Sequence, residues 1–247
     1  MPHSASDVAE QFEQILNSPK QTWLLAAGAS YSSNVPLMIP LTEKALNEAR
    51  TKVFVADPDA LKVIDYVQND IAVNAHIEIF LTHLTDLITI AQRSRKGSLS
   101  IDGADIKKTK LTTVHNKLLE IIANIIRWGY RPEGDGKPEE EGSVGSSIVQ
   151  IEPHKDFVRA VFRSGRAGLE NLRGPIEFFT TNYDTLIEDA LALNRIPFDD
   201  AFVGGGLGFW CGYEGHSDPS VKAVLTKLHG SIDSVLSRLQ YPLWHLI

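Results

Sequence analysis

The apolar positions of this chain recur at two spacings, and each change of spacing predicts an element. Three short, nearly charge-free runs predict strands: Thr22 to Ala27, Ile176 to Thr181 and Val221 to Leu228. The first, with Trp and Leu and no charge, predicts a strand buried on both faces. Helical spacing governs most of the rest. Val8, Phe12, Ile15 and Leu16 form one stripe, opened by Ser6 as an N-cap and closed near Ser18-Pro19. Thr42 is a candidate cap for a helix through Ala45, Leu46 and Ala49. Longer stripes follow at Leu61, Ile64, Tyr66 and Val67, at Ile77, Phe80, Leu81, Leu84, Leu87 and Ile88, and at Leu118, Leu119, Ile122, Ile125 and Ile126. Pro153 opens another helix with Phe157, Val158, Val161 and Phe162 on its apolar side, and Leu186, Ile187 and Ala190 mark the helix after the second strand.

Strand, glycine-containing turn at Gly28, and helix are the parts of a nucleotide-binding βα unit. The expected fold class is therefore α/β: a Rossmann-like parallel sheet flanked by helices, with an inserted helical lobe and no zinc module. We expect one domain over residues 1–247, with Rossmann-like parts at about 20–56 and 171–233 and the helical insertion at about 57–170. Within the insertion, residues 131–147 are rich in Gly, Pro, Glu and Ser, a composition that predicts a mobile loop.

Composition narrows the function classes. A chain of 247 residues with 43% apolar and 22% charged residues can bury a full core. Its net charge of -7 argues against direct nucleic-acid binding, which draws its affinity from cations meeting phosphates. The basic clusters Arg93, Arg95, Lys96 and Lys107, Lys108, Lys110 flank a Gly/Ser/Asp-containing stretch and read as a solvated loop. The single cysteine, Cys211, excludes an intrachain disulfide framework and any zinc module with more than one cysteine, and fits a reducing cytosol. No apolar run reaches the ~18 residues of a membrane span, and Met1-Pro2-His3-Ser4 lacks signal-peptide character. These features lead us to expect a cytoplasmic protein without membrane contact.

The candidate chemistry sits where the apolar runs stop. Ala26-Ala27-Gly28-Ala29-Ser30 would let a pyrophosphate approach the backbone, although small residues also make ordinary tight turns. Thr180-Thr181-Asn182-Tyr183-Asp184 offers groups able to bond ribose hydroxyls or an amide, and equally offers Asn182 or Asp184 as a helix cap. His229, between the third strand and Gly230-Ser231, is either a general base or a structural histidine. A dehydrogenase is disfavoured, because the G-x-G-x-x-G pattern has Ala26 and Tyr31 in place of its outer glycines. A ribose-binding carboxylate is also missing from the end of a second strand, Asp57 after Val53-Phe54-Val55 being the nearest.

In this order, the turn Ala26 to Ser30, the T-T-N-Y-D segment and the segment Lys227-Leu228-His229-Gly230-Ser231 resemble the sirtuin family, and more narrowly its bacterial antiviral-defence branch. The resemblance covers most of residues 20 to 233 and includes the helical lobe between the first two motifs, His76-Ile77-Glu78 at the start of a long helix, and a Gly/aromatic-rich stretch over 201–215. It implies that Asn182 and His229 form the catalytic pair. It further implies that Ala26, Ala27, Gly28, Ala29, Ser30, Pro36, Thr181, Asn182, Asp184, His229, Gly230 and Ser231 bind NAD. Deacylating sirtuins carry a four-cysteine zinc module and a D-F-R segment; here Cys211 stands alone and Pro36-Leu37-Met38-Ile39-Pro40 occupies the second region, so no metal is expected and deacylation is disfavoured. The chain closes soon after Ser231, so it reads either as a fragment or as one in which Ser234 to Ile247 replaces a missing segment.

The resemblance implies an NAD glycohydrolase that takes NAD as substrate, releases nicotinamide and ADP-ribose, and depletes NAD during phage infection. The alternative is an NAD- or ADP-ribose-binding sensor or assembly subunit with little turnover. Implied partners are further copies of the chain in a homo-oligomer, and a HerA-type ATPase, another defence partner or a phage trigger.

Overall fold

The computed structural model describes residues 20–134, 136–163, 174–203, 209–210 and 220–229, together with Glu10, Gln11, Gln14, Leu16 and Ser18. Of the first expected helix, Glu10, Gln11, Gln14 and Leu16 are helical and the remainder lies outside the described residues. The chain divides into two compact units, Met1–Ser33 with Gln150–Ile232, and Asn34–Val149 with Asp233–Ile247. The helical unit thus takes in the helix after the glycine turn, expected with the sheet, while the helix that begins at Pro153 goes with the sheet.

In the first unit the elements are β1 (Thr22–Leu25), α1 (Ala27–Tyr31), α6 (Glu152–Arg163), β6 (Ile176–Thr180), α7 (Leu186–Leu193), β7 (Phe198–Asp199), β8 (Phe202–Val203), β9 (Phe209–Trp210) and β10 (Ala223–Lys227). In the second they are α2 (Met38–Glu48), a π-helical turn (Ala49–Val53), α3 (Pro58–Asp70), α4 (Ile77–Arg93), β2 (Ser98–Ile101), β3 (Ala104–Lys107), α5 (Lys108–Trp128), β4 (Tyr130–Arg131) and β5 (Glu140–Glu141).

A four-stranded parallel sheet, ordered β1-β6-β10-β7, is flanked by helices in a Rossmann-like α/β fold. Alternation along β6 buries Ile176, Phe178 and Thr180 and exposes Glu177. Phe178 is fully buried with Val158 and Val161 of α6, Ile187, Ala190 and Leu191 of α7, and Ala223 and Leu225 of β10. Phe157 meets Trp23 edge-on at 5.2 Å between ring centroids and Phe178 at 6.4 Å. Deleting a ring in such a cluster costs about 3–5 kcal/mol, so this core fixes the sheet on its helices. β1 corrects one expectation: it is the edge strand of the described sheet, and Leu24 is 70% exposed rather than buried on both faces.

Register decides where function can sit. Leu25 pairs with Thr180, and Thr180 with Lys227, so three strands end level. The residues that follow each strand leave the sheet together at its carboxyl edge, the edge used by ligands in open α/β sheets.

The helical unit differs from expectation in four places. Thr42 is not an N-cap of its own helix, which begins at Met38. Its Oγ1 donates to the Met38 carbonyl at 2.7 Å and accepts the Ile77 amide at 2.8 Å, so it caps α4 from outside. Val53 closes the π-helical turn, and Asp57 caps α3 by accepting from the Ala60 amide at 3.1 Å, with Lys110 at 2.6 Å holding its carboxyl below the usual range. Residues 98–107, read as loop, form the β2–β3 hairpin. Residues 131–147, read as mobile, carry β5 and pair through it with β4; Lys44, itself 8% exposed, reaches Glu139 at 3.0 Å and Glu141 at 2.6 Å. Gly129 ends α5 at φ 88, where a side chain would strain the backbone and strike Ile148. The acidic stretch looked too polar to pack because its counter-charge lies far upstream in the sequence.

Candidate active site

Each of the three strand ends is shaped by its own residues. After Leu25, Ala26 adopts φ -122 and ψ 177, extended backbone open to any residue, so its methyl group adds no backbone strain. The expected glycine turn is the first turn of α1, with Ala29 N bonded to Ala26 O at 2.8 Å. Gly28 is exposed, its φ lies outside the left-handed region, and a Cβ there would meet no atom within 4 Å. Among the described residues neither packing nor backbone conformation calls for glycine; a ligand lying against the backbone would. Pro36 belongs to the other unit, in the irregular stretch before α2.

After β6, Thr180 Oγ1 accepts the Asn182 amide at 3.0 Å, a local side-chain turn that reverses the chain at once. Thr181 N still bonds Leu25 O at 3.1 Å, extending the β1 ladder by one residue. Asn182, 9% exposed, turns inward and donates Nδ2 to the Oγ of Ser30 at 2.9 Å. Its Oδ1 is buried without a hydrogen-bond partner among the described residues. An unpaired buried amide oxygen costs on the order of 1–3 kcal/mol, and a substrate hydroxyl or water would relieve that cost. Neither cap candidate is the N-cap of α7, which is Thr185 and makes no side-chain cap bond; Asp184, one residue earlier, supports the helix start by accepting the Leu186 amide on its Oδ1 at 3.1 Å. That commitment leaves Asn182 for other chemistry.

After β10, Leu228 N bonds Thr180 O at 2.8 Å, which carries the sheet register to the threshold of His229. His229 is exposed, and its ring lies 6.4 Å from that of Tyr183, between centroids, at a tilt of 42°. The structure therefore brings together Ser30, Asn182 and Asp184 as buried groups, with Tyr183 and His229 beside one another. Gly230, Ser231 and Cys211 lie outside the described residues, as does most of the Gly/aromatic-rich stretch over 201–215, of which β8 and β9 form an antiparallel pair.

Three further side chains escaped sequence reasoning. His154 on α6 is 5% exposed, its Nδ1 lies 3.1 Å from Ser33 Oγ, and burial pushes its pKa down, with the Asp184 carboxylate acting the other way. Its signal was the helical period, since His154 shares a face with the buried Val158 and Val161. Lys227 has a side chain 5% exposed and pairs with Glu188 Oε1 at 2.8 Å; its Nζ also donates to the Asp184 carbonyl. Burial pushes the Glu188 carboxyl up to about 7 despite Lys227 beside it. The signal here was strand period: Lys227 falls on the side of Ala223 and Leu225. Among the described residues no group of three or more His, Cys, Asp or Glu side chains is placed to hold a metal, and no helix is long and apolar enough to cross a membrane.

Residues 176–243 match the family model described as the SIR2-like domain. That span opens with β6 and contains both Asn182 and His229. Comparison with curated proteins found no match for the chain.

Proposed function

We propose that this chain, which carries a sirtuin-like domain suited to NAD-related chemistry, is an NAD glycohydrolase that takes NAD and water to nicotinamide, ADP-ribose and a proton. The observation that carries the reading is Asn182, held by Ser30 through its NH2 group while its buried carbonyl oxygen is left without a described partner.

The chemistry asks little of the protein beyond placement. The nicotinamide nitrogen is cationic in NAD and leaves as a neutral amine once the bond to ribose breaks, so no general acid is needed. The sugar acquires oxocarbenium character, as in glycoside hydrolysis, and must be met by water on the face opposite the leaving group. Asn182 Oδ1 would accept a hydrogen bond from that water or a ribose hydroxyl. His229 would take the proton, a role suited to imidazole near neutral pH. The amides opening α1 beside Gly28 would face the pyrophosphate, and Asp184 would hold the turn that presents Asn182.

Purified full-length chain incubated with NAD should release nicotinamide and ADP-ribose in equal amounts. Binding of NAD without release would favour the sensor or assembly-subunit alternative, to which the exposure of His229 lends support. Removal of an acyl group from a lysine peptide would instead favour deacylation. We further propose a cytoplasmic role in antiviral defence through NAD depletion, with activity gained on homo-oligomer formation or contact with a HerA-type ATPase, another defence partner or a phage trigger. An enzyme that consumed NAD constantly would kill its host. NAD cleavage that rises with protein concentration and tracks mass in solution would support assembly control, and full activity of a dilute monomer would refute it.

A further inference from the structure

Lys227 is a buried cation that the proposed chemistry does not use. It ends β10, two residues before His229, and its side chain is 5% exposed. A lysine costs free energy at such a place unless its donors are matched. Two of the matches connect elements: Glu188 Oε1 of α7 at 2.8 Å and the main-chain carbonyl of Asp184. The second is the informative one. Asp184 closes the turn that presents Asn182, so one ammonium group joins the strand leading to His229 to the loop bearing Asn182.

We infer that Lys227 is a positioning residue, whose bond to the Asp184 carbonyl holds the Asn182 turn at the distance from His229 that turnover requires, while Glu188 serves to balance its charge. The inference rests on the glycohydrolase reading for its kinetic consequence but not for its structural one. Other bonds around the Asn182 turn run within it or to α1: Thr180 Oγ1 accepts the Asn182 amide, Asp184 Oδ1 accepts the Leu186 amide, and Asn182 donates to Ser30. A rotation of Asp184 would carry Asn182 with it, and small displacements at a reacting centre are costly in rate.

A plain ion pair would behave differently from a positioning contact, and a paired substitution separates them. Replacing a buried ion pair by apolar side chains of similar volume is often neutral for stability, so Lys227→Met with Glu188→Met should fold and melt near the wild type. We expect its kcat to fall at least ~10-fold with KM within ~3-fold, the pattern of an interaction needed in the transition state rather than for binding. Hydrogen exchange at the Asn182 and Leu186 amides should rise at least ~10-fold while Phe178 and Leu225 stay protected, since local opening frees only the turn. Glu188→Gln alone, which leaves the ammonium on the Asp184 carbonyl, should keep kcat within ~3-fold of wild type.

A double variant with wild-type kcat, or with unchanged exchange at Asn182 and Leu186, would overturn the inference. So would Glu188→Gln losing as much activity as Lys227→Met, a comparison that serves even where the double variant does not fold. If wild-type protein binds NAD but releases no nicotinamide even when assembled, while exchange in the double variant rises as stated, the glycohydrolase reading fails and the positioning role stands.

Discussion

Asn182 Nδ2 donates to Ser30 Oγ at 2.9 Å across 152 residues of sequence, and both side chains are buried. This bond joins the helix that follows β1 to the turn that follows β6, two segments already brought level by the pairing of Leu25 with Thr180. It also fixes which end of the Asn182 amide is spent on the protein and which is left for a ligand.

Asn182→Ala should therefore cost activity far more than stability. Nicotinamide release should fall at least ~10²-fold, in line with loss of a group that places the reacting water. The variant also strands the Ser30 hydroxyl, which costs on the order of 1–3 kcal/mol. Paired assays of turnover and thermal melting check this: near-wild-type release, or loss of activity only through unfolding, would return Asn182 to a structural role.

His229→Ala should behave in the opposite way toward stability. The side chain is exposed at the end of β10, so melting should change little, while turnover in saturating NAD should drop by the ~10²- to 10⁴-fold typical of losing a general acid-base group. NAD affinity, measured by calorimetry on the same preparation, should be largely retained. Normal turnover would assign the ring to packing beside Tyr183.

What the sequence made legible and what it hid divides along local and non-local lines. The strands Ile176–Thr180 and Ala223–Lys227 were readable because a short, mostly apolar run needs no partner to be recognised. Which strand would lie at the edge was not, because Leu24 looks the same in a central strand as in β1. Thr42 was misread as a cap of its own helix because the amide it serves, Ile77, lies 35 residues on. The ion pairs of the 131–147 segment were hidden for the same reason, their counter-charge being Lys44. At the site, Asn182 and His229 stood out as polar groups at strand ends. His154 and Lys227 did not, because a polar residue on an apolar face declares itself only when that face is read position by position.

His154 should make the sheet unit acid-sensitive. Its folded-state pKa is pushed below the ordinary 6.5 chiefly by burial, so the unfolded chain binds the proton first. Stability is therefore full above pH ~6.5 and is lost as pH falls through the folded-state value. The Asp184 carboxylate limits the shift from one side, and Ser33 Oγ lies at Nδ1. His154→Asn, which cannot titrate, should flatten the melting temperature between pH 7 and 5 relative to wild type. An unchanged slope would show that His154 does not carry this acid sensitivity.

Lys44→Met should release the β4–β5 pair from α2. In the folded chain the Lys44 ammonium reaches Glu139 and Glu141, and Lys52 reaches Glu141 at 3.2 Å; burial pushes the Glu141 carboxyl up, but the two ammonium groups outweigh it and bring the carboxyl down to about 2. A carboxylate depressed in this way stabilises the fold above its unfolded value near 4.5 and loses that contribution as pH falls toward 2. Because both glutamates are partly exposed, solvent screening keeps the cost of removing Lys44 to roughly 1–3 kcal/mol, below that of breaking a fully buried pair. The Lys44→Met protein should melt lower at pH 7, and the gap should narrow as pH falls below about 4.5, where the wild type begins to lose the same interaction. Limited proteolysis should cut first within 131–147 in the variant and elsewhere in the wild type; an unchanged cleavage pattern would mean that Trp128, against which Gly142 packs, holds the β4–β5 pair without the lysine.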